Sequence, residues 1–299
     1  MAPLSRRSAV VALAAAATAG LAGPAEARAA LTPLRRAHAH NDYLHERPLH
    51  DALTHAFTSV EADVFLVGGD LLVAHEPSRL DPTRTLRSLY LDPLLARVRA
   101  HHGSVHPGYR PPVQLLIDIK AEGAAAYRTL HRQLAPYRRM LTTCTGGSVR
   151  PGAVTAVVSG DRAARGPMEA QRVRYAFYDG RLDDLGTAAP ASFIPLISSN
   201  WTHSFGWLGT GPFPHAERSR LRTLVATAHR AGQRVRFWAT PDAPGPARDA
   251  VWAELLAAGV DHLNTDDLAG LAAFLRAHRD AHDRVPGGRR GGVGRPGAA

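Results

Sequence analysis

Ser59-Val60-Glu61-Ala62-Asp63-Val64-Phe65 reads as one β-strand carrying two chemistries. Side chains alternate across a strand, so Glu61 and Asp63 face one way while Val60, Ala62 and Val64 face the other. The run Val113-Gln114-Leu115-Leu116-Ile117-Asp118-Ile119-Lys120 repeats the device. Leu115, Ile117 and Ile119 share its apolar face, and Asp118 and Lys120 sit at the tip of the opposite one. Both stretches therefore predict strands that are greasy on their outer side and charged at the C-terminal end of their inner side.

Outward from this pair, strand-like runs recur at Arg36–His40, Val60–Leu66, Val113–Ile119, Ala153–Ser159, Val173–Tyr178, Ile194–Ser198, Arg234–Ala239 and Val260–Asn264. Helical spacing lies between most of them. Leu221, Leu224, Val225 and Ala228 precede a stop at Gly232, and Leu268, Leu271 and Leu275 follow the cap-like Thr265-Asp266. Strand-helix alternation implies parallel pairing, and eight units in about 250 residues predict an α/β fold, a (β/α)8 TIM barrel. That architecture puts functional groups at the C-terminal strand ends, where His40, Glu61, Asp63, His75, Asp118 and Lys120 fall. An open doubly wound sheet is the competing architecture, but no Gly-x-Gly-x-x-Gly turn follows any strand. Val67-Gly68-Gly69-Asp70-Leu71 predicts a small hairpin that brings His75 back over the barrel mouth.

The chain has 299 residues, 45% of them hydrophobic, enough for a substantial core. Ser5-Arg6-Arg7-Ser8, the apolar run Ala9 to Ala22 and Ala25-Glu26-Ala27 together look like a twin-arginine export signal over residues 1–29. The apolar run falls short of the ~20 residues that a spanning helix needs. Removing the signal lowers the formal charge from +10 to +8. Residues 284–299 hold four arginines and no acid in a Gly/Pro-rich stretch, which reads as a disordered tail after a barrel domain over residues 30–283. The basic charge thus comes from an Arg-rich composition and a solvated tail. With no zinc-finger spacing or aromatic stacking platform beside it, no nucleic-acid partner is expected. A modest pull towards anionic lipid gives peripheral membrane contact as the expectation, for a monomer delivered to the periplasm or the medium. Cys144 is the sole cysteine, so no intramolecular disulfide can form even in an oxidising compartment. It stands among Thr and Gly residues with no adjacent base, which argues against a nucleophile.

Three carboxylates converging in a partly dry cup repel one another unless a cation sits between them. All-oxygen ligation by Glu61, Asp63 and Asp118 suits one divalent cation, Mg²⁺ or Ca²⁺, better than zinc. His40 and His75 then remain free for proton transfer on either side of a phosphodiester, each worth roughly 10² to 10⁴ in rate. Lys120 is the one lysine among 36 Lys and Arg residues, a compact ammonium where the composition otherwise uses Arg. With the metal it would hold the developing phosphorane charge. Alone, a Glu-x-Asp pair is usually a solvated or salt-bridged pair; the joint placement of these groups is what points to function. His38 shares the face of His40 one layer deeper, as a hydrogen-bonded structural group. Asn41, Asp42 and Tyr43 fix the strand-end loop. Asn41 and Trp238 are the further substrate-contact candidates, Trp238 reading equally well as a buried aromatic lid, and Asn200 and Asn264 are singled out by strand-end position alone.

With these residues in view, the chain resembles the superfamily of phospholipase-C-like phosphodiesterases, which includes glycerophosphodiester phosphodiesterases and sphingomyelinase D-type phospholipases. Within it the likeness is to the altered inheritance of mitochondria protein 6-like branch, through His38-Ala39-His40-Asn41-Asp42-Tyr43, Ser59-Val60-Glu61-Ala62-Asp63-Val64 and Leu72-Val73-Ala74-His75-Glu76. The resemblance implies that His40 and His75 are the catalytic pair, that Glu61, Asp63 and Asp118 are metal ligands, and that Lys120 contacts phosphate. Glycerophosphodiesterases have Arg-Gly where this chain has Asn41-Asp42, and Asp where it has Glu76. The tail motif of sphingomyelinase D proteins is missing after Asn264-Thr265-Asp266-Asp267. The resemblance therefore implies a reaction class, an exported metal-dependent phosphoric diester hydrolase acting on a phospholipid head group or a glycerophosphodiester. Two alternatives stand beside it. His38-Ala39-His40 with Asp266 would suit a zinc amidohydrolase-type barrel, and Trp201, Trp207 and Trp238 a non-catalytic lipid- or carbohydrate-binding barrel.

Overall fold

Alternating strands and helices close into a cylinder in the computed structural model, which describes residues 32–278. Its strands are β1 (Leu34–Ala39), β2 (Phe57–Val67), β3 (Asp70–Val73), β4 (Val113–Ile119), β5 (Thr143–Thr145), β6 (Ser148–Arg150), β7 (Val154–Gly160), β8 (Val173–Arg174), β9 (Ala176–Gly180), β10 (Leu196–Asn200), β11 (Arg234–Trp238) and β12 (His262–Thr265). Its α-helices are α1 (His50–Thr54), α2 (Asp92–Ala100), α3 (Gly123–Leu134), α4 (Arg165–Glu169), α5 (Trp201–Ser204), α6 (His215–Arg230), α7 (Pro246–Ala258) and α8 (Leu268–Ala277). Eight strands pair in parallel in the order β1, β2, β4, β7, β9, β10, β11, β12, and β12 returns to β1. The chain is a (β/α)8 barrel, with no sheet edge among these eight strands.

Period-2 alternation sorts each barrel strand into two environments. Ala37, Val60, Ala62, Leu115, Ile117, Val158, Phe237 and Leu263 are buried in the ring between strands and helices. Leu130 and Leu134 of α3, Leu221 and Val225 of α6, and Leu271 and Leu275 of α8 belong to the same core. Removing such side chains from water contributes roughly 1.5–3 kcal/mol each, which is what holds the helices to the cylinder. A second, smaller cluster of Leu116, Cys144, Val157, Phe177 and Leu196 is separate from that ring. Cys144 is thus a packed core group, in keeping with the non-nucleophilic reading.

Boundaries differ from the sequence expectation in instructive places. The run Val173–Tyr178 divides: Val173 and Arg174 form β8, antiparallel to β5, and only from Ala176 does the chain join the barrel. The hairpin β5–β6 completes this small satellite sheet. β1 ends at Ala39, so His40 opens the following turn, although its N–H still bonds the Thr265 carbonyl at 2.9 Å. The cap of α8 is Asp267, whose carboxylate accepts from the Gly270 N–H, one residue later than Thr265-Asp266 suggests. The expected hairpin forms, β2 pairing with β3 around Gly68 and Gly69, whose φ of +57° and +88° the two-residue turn demands. The expected export signal at 1–29 and tail at 284–299 lie outside the described residues. No helix among the described residues is long and apolar enough to cross a membrane.

Candidate active site

Adjacent staves β2 and β4 run in a register that sets Asp63 beside Asp118, with Glu61 one inward position deeper. One carboxylate oxygen from each of Glu61, Asp63 and Asp118 lies within 4.8 Å of the others. Gly160 makes room behind them. At φ +81°, its missing Cβ would collide with the Ile119 carbonyl and the Asp118 carboxylate, so glycine is the residue this close approach requires.

Asp63 divides its two oxygens. Oδ2 accepts from the Tyr43 hydroxyl at 2.6 Å and from His75 Nδ1 at 3.1 Å, and pairs with Lys120 Nζ at 2.8 Å. Oδ1 is buried with no partner among the described residues. Glu61 is divided in the same way, Oε2 accepting from Arg236 at 2.6 Å and from His38 Nε2 at 3.1 Å, while Oε1 faces His40 Nε2 at 3.9 Å. Buried acceptors are normally satisfied, so an orphaned carboxylate oxygen beside two more carboxylates is a donor set that could hold a hard cation. Oxygens this close fit around one ion bound at about 2.1–2.5 Å, and the donor group found among the described residues is three carboxylates with no sulfur or imidazole, unlike a zinc set.

The electrostatics follow the contacts. Burial pushes the Asp118 carboxyl up to about 6, Lys120 opposing it and the Glu61 and Asp63 charges adding to it. Burial also acts on Glu61, but the Arg236 guanidinium and the His38 hydrogen bond hold it well below the usual carboxylate range. Lys120 is raised, since the charges of Asp118 and Asp63 outweigh its desolvation.

His40 and His75 flank this cluster from different loops. His40 Nδ1 donates to Asp266 Oδ1 at 2.7 Å, which fixes the tautomer and leaves Nε2 towards Glu61. Burial lowers its pKa, but the Asp266 hydrogen bond and the Glu61 charge prevail and raise it. His75, delivered by the β2–β3 hairpin, is tied through Nδ1 to Asp63 and has a side chain 55% exposed. Its Nε2 is thus the end of the ring left for a ligand.

The remaining candidates separate. Asn41, in the left-handed conformation that Asn tolerates, donates to Asp266 at 3.3 Å and so supports His40. Trp238 ends β11, partly exposed at the rim. Asn200 caps α5 by accepting from the Thr202 N–H, and Asn264 accepts from Arg236 Nε, so both are structural. His38 is structural as expected. Its ring lies between Ser59 Oγ at 2.7 Å and Glu61, and burial with the nearby Arg236 charge lowers its pKa to about 4. With both ring nitrogens engaged, it offers no lone pair to zinc, which removes the basis of the amidohydrolase reading. Trp201 and Trp207 are buried, their indole N–H groups bonded to backbone carbonyls, so they line no mouth. Sequence reasoning missed Arg236 altogether and saw Asp266 only in another role. The alternation Arg234-Val235-Arg236-Phe237-Trp238 was the available signal, since it turns Arg236 into the lumen.

Against known proteins, an AIM6-like phosphodiesterase domain matches residues 26–179, and the glycerophosphoryl diester phosphodiesterase family matches residues 234–269. The two matches contain the whole charged cluster, Arg236 and Asp266. The altered inheritance of mitochondria protein 6 homolog of Arthroderma benhamiae is 30% identical over 80% of this chain and 83% of its own length. Altered inheritance of mitochondria protein 6 of Eremothecium gossypii is 30% identical over 81% and 69%, and that of Saccharomyces cerevisiae 25% over 77% and 68%. By these matches, and in agreement with its barrel, the chain belongs to the AIM6-like phosphodiesterase family.

Proposed function

We propose that this protein is an exported, metal-dependent phosphoric diester hydrolase that acts on a phospholipid head group or a glycerophosphodiester. The observation that carries the reading is the buried, unpartnered Oδ1 of Asp63 amid three carboxylates, with an imidazole on either flank. Glu61, Asp63 and Asp118 would hold one divalent cation, Mg²⁺ or Ca²⁺. When bound, it supplies Lewis-acid polarisation of a phosphoryl oxygen and neutralises charge there.

The chain's own groups supply the rest. His40 and His75 each have Nδ1 committed to a carboxylate and Nε2 available. One takes the proton of the attacking hydroxyl as the new P–O bond forms; the other gives a proton to the leaving oxygen as the old one breaks. Lys120, held between Asp63 at 2.8 Å and Asp118 at 3.3 Å, adds a fixed positive charge for the phosphoryl oxygens. Asn41 and Trp238 border the space that the substrate would enter. Leu44 and Leu208, 67% and 47% exposed, lie on loops that leave the C-terminal ends of β1 and β10. Apolar side chains on the mouth side support contact of a monomer with a lipid surface.

A ³¹P NMR screen against glycerophosphodiesters, lysolipids and phosphatidylinositol, with Mg²⁺ or Ca²⁺, tests the reading. Expected is a new phosphomonoester or cyclic phosphate signal that disappears in EDTA. No product with either cation, or turnover that survives complete chelation, would overturn it. Export is tested separately by fractionating cells that express Arg6→Lys/Arg7→Lys, in which the protein should stay cytoplasmic.

A further inference from the structure

The opposite end of the barrel opens into a cavity of about 500 Å³, lined among others by Arg36, Gln114, Arg234 and His262. These are the lumen-facing positions at the N-terminal ends of β1, β4, β11 and β12, two to four residues below the groups of the candidate active site on the same strands. Arg234 donates to Gln114 Oε1 at 2.7 Å and to His262 Nε2 at 3.0 Å. A guanidinium can only donate, so Nε2 is the acceptor and the His262 proton resides on Nδ1. That N–H is buried and has no partner among the described residues. Arg36 donates to the Val260 carbonyl at 2.6 Å.

Both guanidiniums therefore face neutral partners, and neither forms an ion pair among the described residues. One acid borders the cavity, Asp261, and its Oδ2 is already engaged by His229 at 2.8 Å and by the Val235 N–H at 2.8 Å. Asp261 and Asp179 act on Arg234 only from a distance, so no carboxylate touches either half-buried guanidinium, and the buried His262 N–H bond is unmade. Both deficits border one cavity, and an oxyanion would cure both at once. Donors arriving from three different strands suit the several acceptor oxygens of a phosphate, and the volume leaves room for a small organic group attached to it.

We propose that the floor of the barrel binds a small phosphate-bearing anion through Arg36, Arg234 and His262 Nδ1–H. The site is independent of the catalytic reading, because none of its residues contacts the carboxylate cluster at the mouth. It is also joined to that cluster. Gln114 Nε2 donates to Ser59 Oγ at 2.9 Å, Ser59 meets His38 at 2.7 Å, and His38 meets Glu61, so an occupant would sit at the end of an unbroken hydrogen-bonded path.

Titration calorimetry of the full chain with inorganic phosphate tests this, with EDTA present so that the mouth keeps its bare carboxylates and repels phosphate. Saturable binding is expected, retained in Asp63→Asn, weakened at least ~10-fold in Arg36→Gln, and at least ~10-fold weaker for acetate than for phosphate. Arg36→Gln should leave phosphodiester turnover unchanged. No saturable heat with phosphate would overturn the proposal, as would equal affinity in Arg36→Gln or loss of binding in Asp63→Asn. Arg234→Gln should weaken phosphate likewise, and the wild-type measurement and Arg36→Gln suffice if that variant does not fold.

Discussion

At mid-depth on β4, β7, β9 and β10 stand Leu116, Val157, Phe177 and Leu196, closed off by Cys144. Across the lumen, on β11, β12, β1 and β2, the positions are Arg236, Asn264, His38 and Glu61, equally buried. The parallel register puts Glu61, Leu116, Val157 and Phe177 in a single layer, so the change from charge to hydrocarbon happens between neighbouring staves. The apolar half is a packed wall that needs no partners. The polar half needs partners for its donors and acceptors, and many are linked in a chain running from Arg234 at the floor to Glu61 below the mouth, while His262 Nδ1 and Asp63 Oδ1 have none among the described residues. The contrast teaches why Glu61 can stay charged at such depth: Arg236 neutralises it from within, so its second oxygen remains available to the mouth.

The most drastic way to break the polar half is at its open end. His40→Ala and His75→Ala should each lower turnover of bis(4-nitrophenyl) phosphate by roughly 10² to 10⁴, the usual worth of a general acid or base. Both rings stand at the barrel mouth, outside the packed layers, so melting temperatures should stay within about 2 °C of wild type. Retained activity would reassign the pair; a collapsed melting temperature would mean that the rings are structural.

Next in size are the two walls themselves. Arg236→Met strips Glu61 of its buried counter-charge and should cost about 3–5 kcal/mol of unfolding free energy. Phe177→Ala opens a void in the apolar wall and should cost a similar ~3–5 kcal/mol. The repair distinguishes them. Adding Glu61→Gln to Arg236→Met should restore much of the loss, because the uncompensated charge is gone, whereas the same change added to Phe177→Ala should restore nothing. Urea unfolding of these four variants and of Glu61→Gln alone measures this directly, and additive behaviour in the first pair would contradict the electrostatic account.

The apolar wall was more legible in the sequence than the polar one. Hydrophobic alternation announced Leu115, Ile117 and Ile119 as one face and so located β4, and similar runs located all eight barrel staves. The hairpin was legible because Gly68-Gly69 has few other uses between two apolar runs. Glu61, Asp63, Asp118 and Lys120 could be grouped because alternation fixed their side and strand polarity fixed their end. Arg236 could not be, since in a chain this rich in Arg a strand arginine reads as solvated, and nothing local reveals a carboxylate 175 positions away. The satellite strands β5, β6 and β8, two or three residues each, carry too little periodicity to separate from a loop. The burial of Trp201 and Trp207 was hidden for a related reason: it depends on which way a long loop folds back.

A smaller effect sharpens the account of the mouth. Asp266→Asn keeps an acceptor for His40 Nδ1 but removes its charge. Burial then acts on the ring with only the Glu61 charge to offset it, so the His40 pKa should fall. Titrating the ring by NMR in EDTA reads the shift, and an unchanged midpoint would deny Asp266 its positioning role.

The last effect, visible only as a pH dependence, lies where β1 leaves the barrel. Asp42 is wholly buried, and its Oδ2 accepts from the Leu49 N–H at 2.6 Å and from the Tyr90 hydroxyl at 2.9 Å. Oδ1 has no partner among the described residues. Unlike Glu61 it has no guanidinium against it, and burial pushes its pKa from 3.8 up to about 7 in spite of those two bonds. The folded state therefore keeps a proton that the unfolded chain gives up. Its contribution to stability is complete below the unfolded pKa and is lost as pH rises through about 7, with a slope of at most about 1.4 kcal/mol per pH unit. Asp42→Asn retains the acceptor for Leu49 and Tyr90 and cannot ionise. The stability of wild type relative to this variant should accordingly fall between pH 5 and pH 8. Taking the difference cancels the other titrating groups, so a constant gap across that range would show that the Asp42 carboxylate is already accommodated without its proton.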